Sequence, residues 1–278
     1  MTARSRGRRT GPFIATKEHR RFTEFATTIR THRTIGLCFG PAGVGKTLSA
    51  RRHAHWDFAE PLLQTWGPRG PSDENVYAAL ARSRAVFHTP TVGGTLRELR
   101  KDLDLMTSRV DICIKQEKST DSDGKLFVSQ ESMVELLIID EAERLSTSAL
   151  EYLRDMFDRT DIGLIFIGMP GVEKRMARYP QLYSRVGFAH HYRPLQGDEL
   201  TFVLTRHWRK LGLSLDSIDF TDTQAITAIS RITNGNFRLL HSLFVQIERI
   251  LRINELSVIT EDVVEAARST LVIGATER

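Results

Sequence analysis

Gly40 to Thr47 reads G-P-A-G-V-G-K-T, which puts three glycines, a lysine and a hydroxyl in eight residues. Glycine reaches backbone conformations closed to residues with a Cβ. Gly40, Gly43 and Gly45 would therefore let the chain from Gly40 through Pro41, Ala42, Val44 and on to Leu48 fold round phosphate oxygens at a helix N-terminus. Lys46 would meet the β and γ phosphates of a nucleotide, and Thr47 would put its hydroxyl on a magnesium ion bridging them. The second chemical element is Asp140-Glu141, which closes the apolar run VELLII. Asp140 would hold the magnesium through water, and Glu141 would orient and polarise the water that attacks the γ-phosphate. A capped structural strand would also end in two acids, so this pair gains meaning only from the loop upstream.

These groups need strands to carry them. TIGLCF before the loop reads as a buried strand over 34–39, and KTLSARRHA after it as a helix. Phe22, Phe25 and Ile29 recur at helical spacing ahead of that strand. RAVFHT ending near Thr89, Val134–Ile139, Ile162–Pro170 and FAHHYRPL read as further strands. The segment over 62–83 reads as an irregular connection, and Thr107–Ser132 as polar and broken. Leu96, Leu99, Leu103 and Met106 mark an amphipathic helix between them. Past Leu195 only helical periodicity remains. Alternating strands and helices predict an α/β fold, a parallel sheet flanked by helices, followed by a small α-helical domain. The boundaries expected are 1–34 for a basic arm and leading helix, 35–195 for the nucleotide-binding domain and 196–278 for the helical domain.

At 278 residues, 41% hydrophobic and 26% charged, the chain has material for a substantial core. No apolar run approaches the roughly 20 residues that span a bilayer, and the N-terminus MTARSRGRRTGPF lacks an apolar signal segment. A cytoplasmic location with no membrane partner is expected. Cys38 and Cys113 have no paired spacing, so neither a disulfide nor a metal cluster is expected. Net charge is +5, and Arg4, Arg6, Arg8 and Arg9 precede any acidic residue. Such an arm can track a nucleic-acid backbone, and a solvated tail accounts for it equally well.

The order of these motifs, with an arginine in YPQLYSRVGF and another in GNFRLL, resembles an AAA+ ATPase. More narrowly, LLIIDEAERLSTSALEYLRDMFDRTDIGLIFIGMPGVEKRMARYPQLYSRVGF resembles the transposition ATPases of the TniB, TnsC and MuB group. The resemblance implies ATP and Mg2+ as cofactors and a helical lid as the C-terminal domain. It implies Lys46, Glu141 and Arg185 as catalytic residues, Arg185 being a finger that reaches the site of the next subunit. Arg238 would touch the γ-phosphate from the lid, while Arg175, Arg178 and Arg193 compete with Arg185 for the finger. It further implies a homo-oligomer, as a ring, hexamer or helical filament on double-stranded DNA in the bacterial cytosol and nucleoid. A transposase and a target-selection adaptor protein would be its partners. DNA contacts would come from Thr91, Thr95, Arg97, Arg100, Lys101, Lys115 and Lys118, a set that a solvated helix face balanced by Glu98, Asp102 and Asp104 explains as readily. Met169 departs from the pattern, because a thioether stands where a polar residue would help hold the attacking water. Slow, partner-stimulated hydrolysis, an ATP-gated scaffold with little turnover, and a helicase loader or replication-initiation ATPase are the competing expectations.

Overall fold

Five short strands build one sheet. A computed structural model describes residues 13–118, 131–216 and 218–271; the basic arm over 1–12 lies outside the described residues. In chain order the first elements are α1 (Lys17–His32), β1 (Ile35–Phe39), α2 (Lys46–His53), α3 (Trp56–Thr65), α4 (Glu74–Ser83), β2 (Ala85–His88) and α5 (Leu96–Lys118). There follow β3 (Leu136–Ile139), α6 (Thr147–Arg159), β4 (Gly163–Gly168), α7 (Val172–Met176), α8 (Pro180–Tyr183) and β5 (Val186–His191). The sheet is parallel throughout, in the order β2-β3-β4-β1-β5. Every residue of β3 and β4 is buried, as helices on both faces require, and this is why those strands read as unbroken apolar runs. Phe22, Phe25 and Ile29 of α1 join the same core.

Two local expectations need correction. Residues 62–83 are not a continuous irregular connection: α3 runs to Thr65, and α4 buries Val76, Tyr77 and Leu80. Nor is the stretch after Thr107 broken from its start, because α5 continues to Lys118 with Val110, Cys113 and Ile114 buried at helical spacing.

The chain divides into two compact units. The sheet unit comprises residues 21–194 and also 236–238; the other comprises the described residues of 1–20, 195–235 and 239–278. The second unit is helical, with α9 (Gly197–Lys210), α10 (Phe220–Thr233), α11 (Phe237–Ile253, apart from its first two residues) and α12 (Glu261–Arg268). Its core includes Trp208, whose indole N–H donates to Asp222 at 3.3 Å, while Asp222 also accepts from the Asp216 amide at 2.7 Å. Among the described residues no helix is long and apolar enough to cross a membrane.

Candidate functional site

Parallel strands deliver their C-terminal ends to one edge of the sheet, and the loop predicted to bind phosphate leaves β1 at that edge. Gly43 and Gly45 take φ of 75° and 110°, left-handed values that suit glycine, and Gly45 caps α2. Gly40 is constrained by space instead: a Cβ there would come within 2.2 Å of the Tyr192 carbonyl oxygen. Tyr192 follows β5 and closes its hydroxyl on Ser49 of α2 at 2.7 Å. The first turn of α2 is thus anchored from the strand next to β1.

Lys46 is buried, and its ammonium donates to the loop's own Gly40 and Pro41 carbonyls, the latter at 2.7 Å. Burial pushes it below its ordinary pKa, while Asp140 and Glu143 pull it back. Thr47 donates to Asp140 Oδ2 at 2.7 Å, and the Glu141 amide donates to Asp140 Oδ1 at 3.0 Å. The Asp140 amide donates in turn to His88 at the end of β2. Asp140 is 3% exposed, and burial raises its carboxyl above the usual range despite the Thr47 bond. A hydroxyl and a carboxylate side by side form a small set of hard oxygen donors, which suits a magnesium ion that takes its remaining ligands from phosphates and water. The residues present fit that ion.

The two glutamates that follow diverge. Glu141 takes a left-handed backbone at φ 50°, and its carboxylate pairs with Arg144. The Arg144 guanidinium also donates to the Pro90 carbonyl at 3.0 Å, which ties Glu141 to the loop after β2. Glu143 lies instead at the end of β4: a Cβ built on Gly168 would meet its Oε2 at 2.9 Å. The turn carrying both acids is held by Arg175 of α7, which donates to the Ala142, Glu143 and Leu145 carbonyls. Arg175, a competitor for the finger in sequence, is committed to that clamp. Asn236 completes the set, donating its amide to the Ala42 carbonyl at 2.6 Å, while the Arg238 amide donates to the Gly43 carbonyl at 3.2 Å. The structure therefore brings Gly40–Thr47, Asp140, Glu141 and Arg238 together.

Residues 29–176 match the family model described as an AAA domain, more than half of the chain. The chain belongs to the AAA domain family. The match runs from the end of α1 through α7 and so contains the phosphate loop, Asp140 and Glu141. A Staphylococcus aureus protein described as a potential ATP-binding protein is 41% identical over 265 residues, 94% of this chain and 97% of that one. The Mu-like prophage FluMu DNA transposition protein B of Haemophilus influenzae is 26% identical over 235 residues, 82% of this chain and 70% of that one. Two solved structures share the fold. The RuvB Holliday junction branch migration motor of Thermotoga maritima gives a TM-score of 0.54 at 16% identity, over 93% of this chain and 70% of that one. The ORC2 protein of Aeropyrum pernix gives 0.52 at 14% identity, over 91% and 67%.

Arg185, nine residues beyond the matched segment, does not join the phosphate loop and Asp140. Its carbonyl accepts from the amide of Ile35, the first residue of β1, so it stands at the opposite edge from the loop that β1 feeds. There its guanidinium grips Asp158 through Nε and Nη2, the latter at 2.8 Å. The resulting hydrogen bond holds the Asp158 carboxyl below its ordinary pKa. The residues expected to meet DNA have mixed fates. Thr91, Arg97, Lys101 and Lys118 are exposed. Thr95 caps α5, exchanging hydrogen bonds with Glu98. Arg100 lies over the Tyr152 ring at 4.5 Å, and Lys115 pairs with Asp111 at 2.7 Å.

Sequence reasoning passed over Tyr192, Asn236, Glu143 and Arg144. Asn236 had a signal, since the Asn234-Gly235 pair before it adopts two successive left-handed conformations that turn the chain. For the others the contacts that matter, Tyr192 with Ser49, Arg144 with Pro90 and Glu143 with Gly168, cross long sequence separations.

Proposed function

We propose that this chain is an ATP-dependent regulator of DNA transposition that oligomerises on double-stranded DNA without reading sequence, recruits a transposase and disassembles when ATP is hydrolysed. The observation that carries the reading is the Arg144 bridge, which joins the carboxylate of Glu141 to the loop after β2. That loop leads to Thr91, Thr95, Arg97, Arg100 and Lys101, the residues assigned here to phosphate contacts. Occupancy of the loop by DNA would thereby bear on the acid that activates water. The 26% identity to a DNA transposition protein supports the same direction.

In this reading Thr47 and Asp140 would hold magnesium, whose charge would offset that of the phosphate oxygens. Lys46 exchanges its loop carbonyls for the β and γ phosphates, and Arg238 reaches the γ-phosphate. Glu141 leaves Arg144 to take the proton of the attacking water. Arg185, at the far edge of the sheet, completes the site of the next subunit, so turnover depends on assembly.

The test is electron microscopy of the protein mixed with duplex DNA and ATP, a slowly hydrolysed analogue or ADP. Rings or filaments are expected with the triphosphates only, and none with Lys46→Ala or Arg185→Ala. Monomers under every condition would overturn the proposal and favour a loader or adaptor acting through a protein partner.

A further inference from the structure

The end of β4 offers no polar side chain to a nucleotide: Gly168 closes the strand, and Met169, 39% exposed, and Pro170 follow. Gly168 is the register partner of Phe39, the residue immediately before the phosphate loop, so the end of β4 is the wall beside the start of that loop. The carboxylate at that wall belongs to Glu143, whose Oε2 lies 2.9 Å from where a Gly168 Cβ would be. Three further facts set Glu143 apart. Its side chain is exposed, and among the described residues it enters no ion pair or side-chain hydrogen bond, whereas the Glu141 carboxylate is taken by Arg144. Its backbone is fixed, because Arg175 from α7 donates to its carbonyl at 2.6 Å and to those of Ala142 and Leu145. Its charge reaches Lys46, where it acts alongside Asp140.

We propose that Glu143 is a second carboxylate of the hydrolytic site, accepting a hydrogen bond from the attacking water on the β4 side while Glu141 takes that water's proton. The inference rests on the ATPase reading above and names the group that does what Met169 cannot. In the step itself the water oxygen bonds to the γ-phosphorus. The bond from that phosphorus to the β,γ-bridging oxygen breaks, its electron pair leaves on ADP, and the proton on Glu141 passes on to the released phosphate. Glu143 changes neither charge nor bonding. It fixes the direction of a lone pair, which is a geometric contribution.

The experiment measures phosphate release and fluorescent-nucleotide affinity on DNA-bound protein for the wild type, Glu143→Ala, Glu143→Gln, Glu141→Gln and the double variant Glu143→Ala with Met169→Asn. Glu143→Ala should lower kcat by about 100-fold, the low end for one positioned polar group in a preorganised site, with nucleotide affinity within about 2-fold. Glu143→Gln keeps an acceptor oxygen and should fall between. Asparagine at 169 should restore part of the rate by returning a polar group to the same wall. A Glu143→Ala rate within about 2-fold of wild type overturns the proposal, as does a loss that travels with nucleotide affinity and melting temperature. A wild type without turnover on or off DNA overturns the ATPase reading itself and this inference with it.

Discussion

The two edges of the sheet use similar charges to opposite ends. At the edge where the strands begin, Arg30, Arg33 and Arg84 converge on Glu135, with Arg33 at 3.4 Å and Arg30 at 3.8 Å, and Arg185 is held by Asp158. Arg30 also donates to the Arg82 and Ser83 carbonyls, and Arg33 to that of Glu135. These charges are spent on one another and on tying α1, β2 and β3 together. At the edge where the strands end, among the described residues, Lys46 donates hydrogen bonds only to its own loop's carbonyls, Asp140 is buried against Thr47, and Glu143 enters no ion pair. Charges that are not matched internally are the ones free to meet a ligand.

Removing one charge from each edge should separate the two uses. Lys46→Ala is expected to weaken nucleotide binding by roughly 10–150-fold, the worth of about 1.5–3 kcal/mol for hydrogen bonds to a charged group, with the melting temperature almost unmoved. A calorimetric titration checks it. Glu135→Ala should do the reverse, leaving three arginines facing one another at a cost of about 1–3 kcal/mol and a melting temperature lower by roughly 3–8 °C. Nucleotide affinity should hold, as thermal unfolding and binding on the same sample will show.

Asp140→Asn sharpens the comparison further. A carboxyl raised by burial binds its proton more tightly in the folded chain, so its contribution is fullest below the ordinary value of 3.8 and is lost as pH rises through the folded value. The amide should therefore raise the melting temperature at neutral pH by about 2 °C while ending the magnesium response. Asp158 has the opposite sign: its lowered carboxyl contributes above 3.8, and the contribution disappears as pH falls through the folded value. Asp158→Asn should flatten that acid limb by a small amount and, if the proposed assembly through Arg185 holds, shift the protein concentration at which oligomers form. Light scattering against concentration measures the second effect.

The grouping of the glycine-rich loop with the acids after β3 was legible because its signals are local. Gly40–Thr47 is one turn of chain, and Asp140 and Glu141 end one strand. What stayed hidden depends on chain segments that meet only in the fold. Arg144 gains meaning from Pro90, Arg175 from the turn at 142–145, Tyr192 from Ser49, and Asn236 from Ala42. The missed helical stretches fail for another reason. In α4 the apolar stripe of Val76, Tyr77 and Leu80 starts just after a Gly-Pro-rich passage that masks it. In α5, Asp111, Lys115, Gln116 and Lys118 supply a solvated face whose polarity outweighs the buried Val110, Cys113 and Ile114.

The most direct test is the shift in melting temperature that magnesium and ATP produce in the wild type, Lys46→Ala and Glu135→Ala. A ligand that binds only the folded state raises it by mass action. The wild type should rise, Lys46→Ala should start at the same temperature and stay there, and Glu135→Ala should start lower yet rise by the same interval. An equal rise in Lys46→Ala would contradict the assignment of the nucleotide to this edge of the sheet.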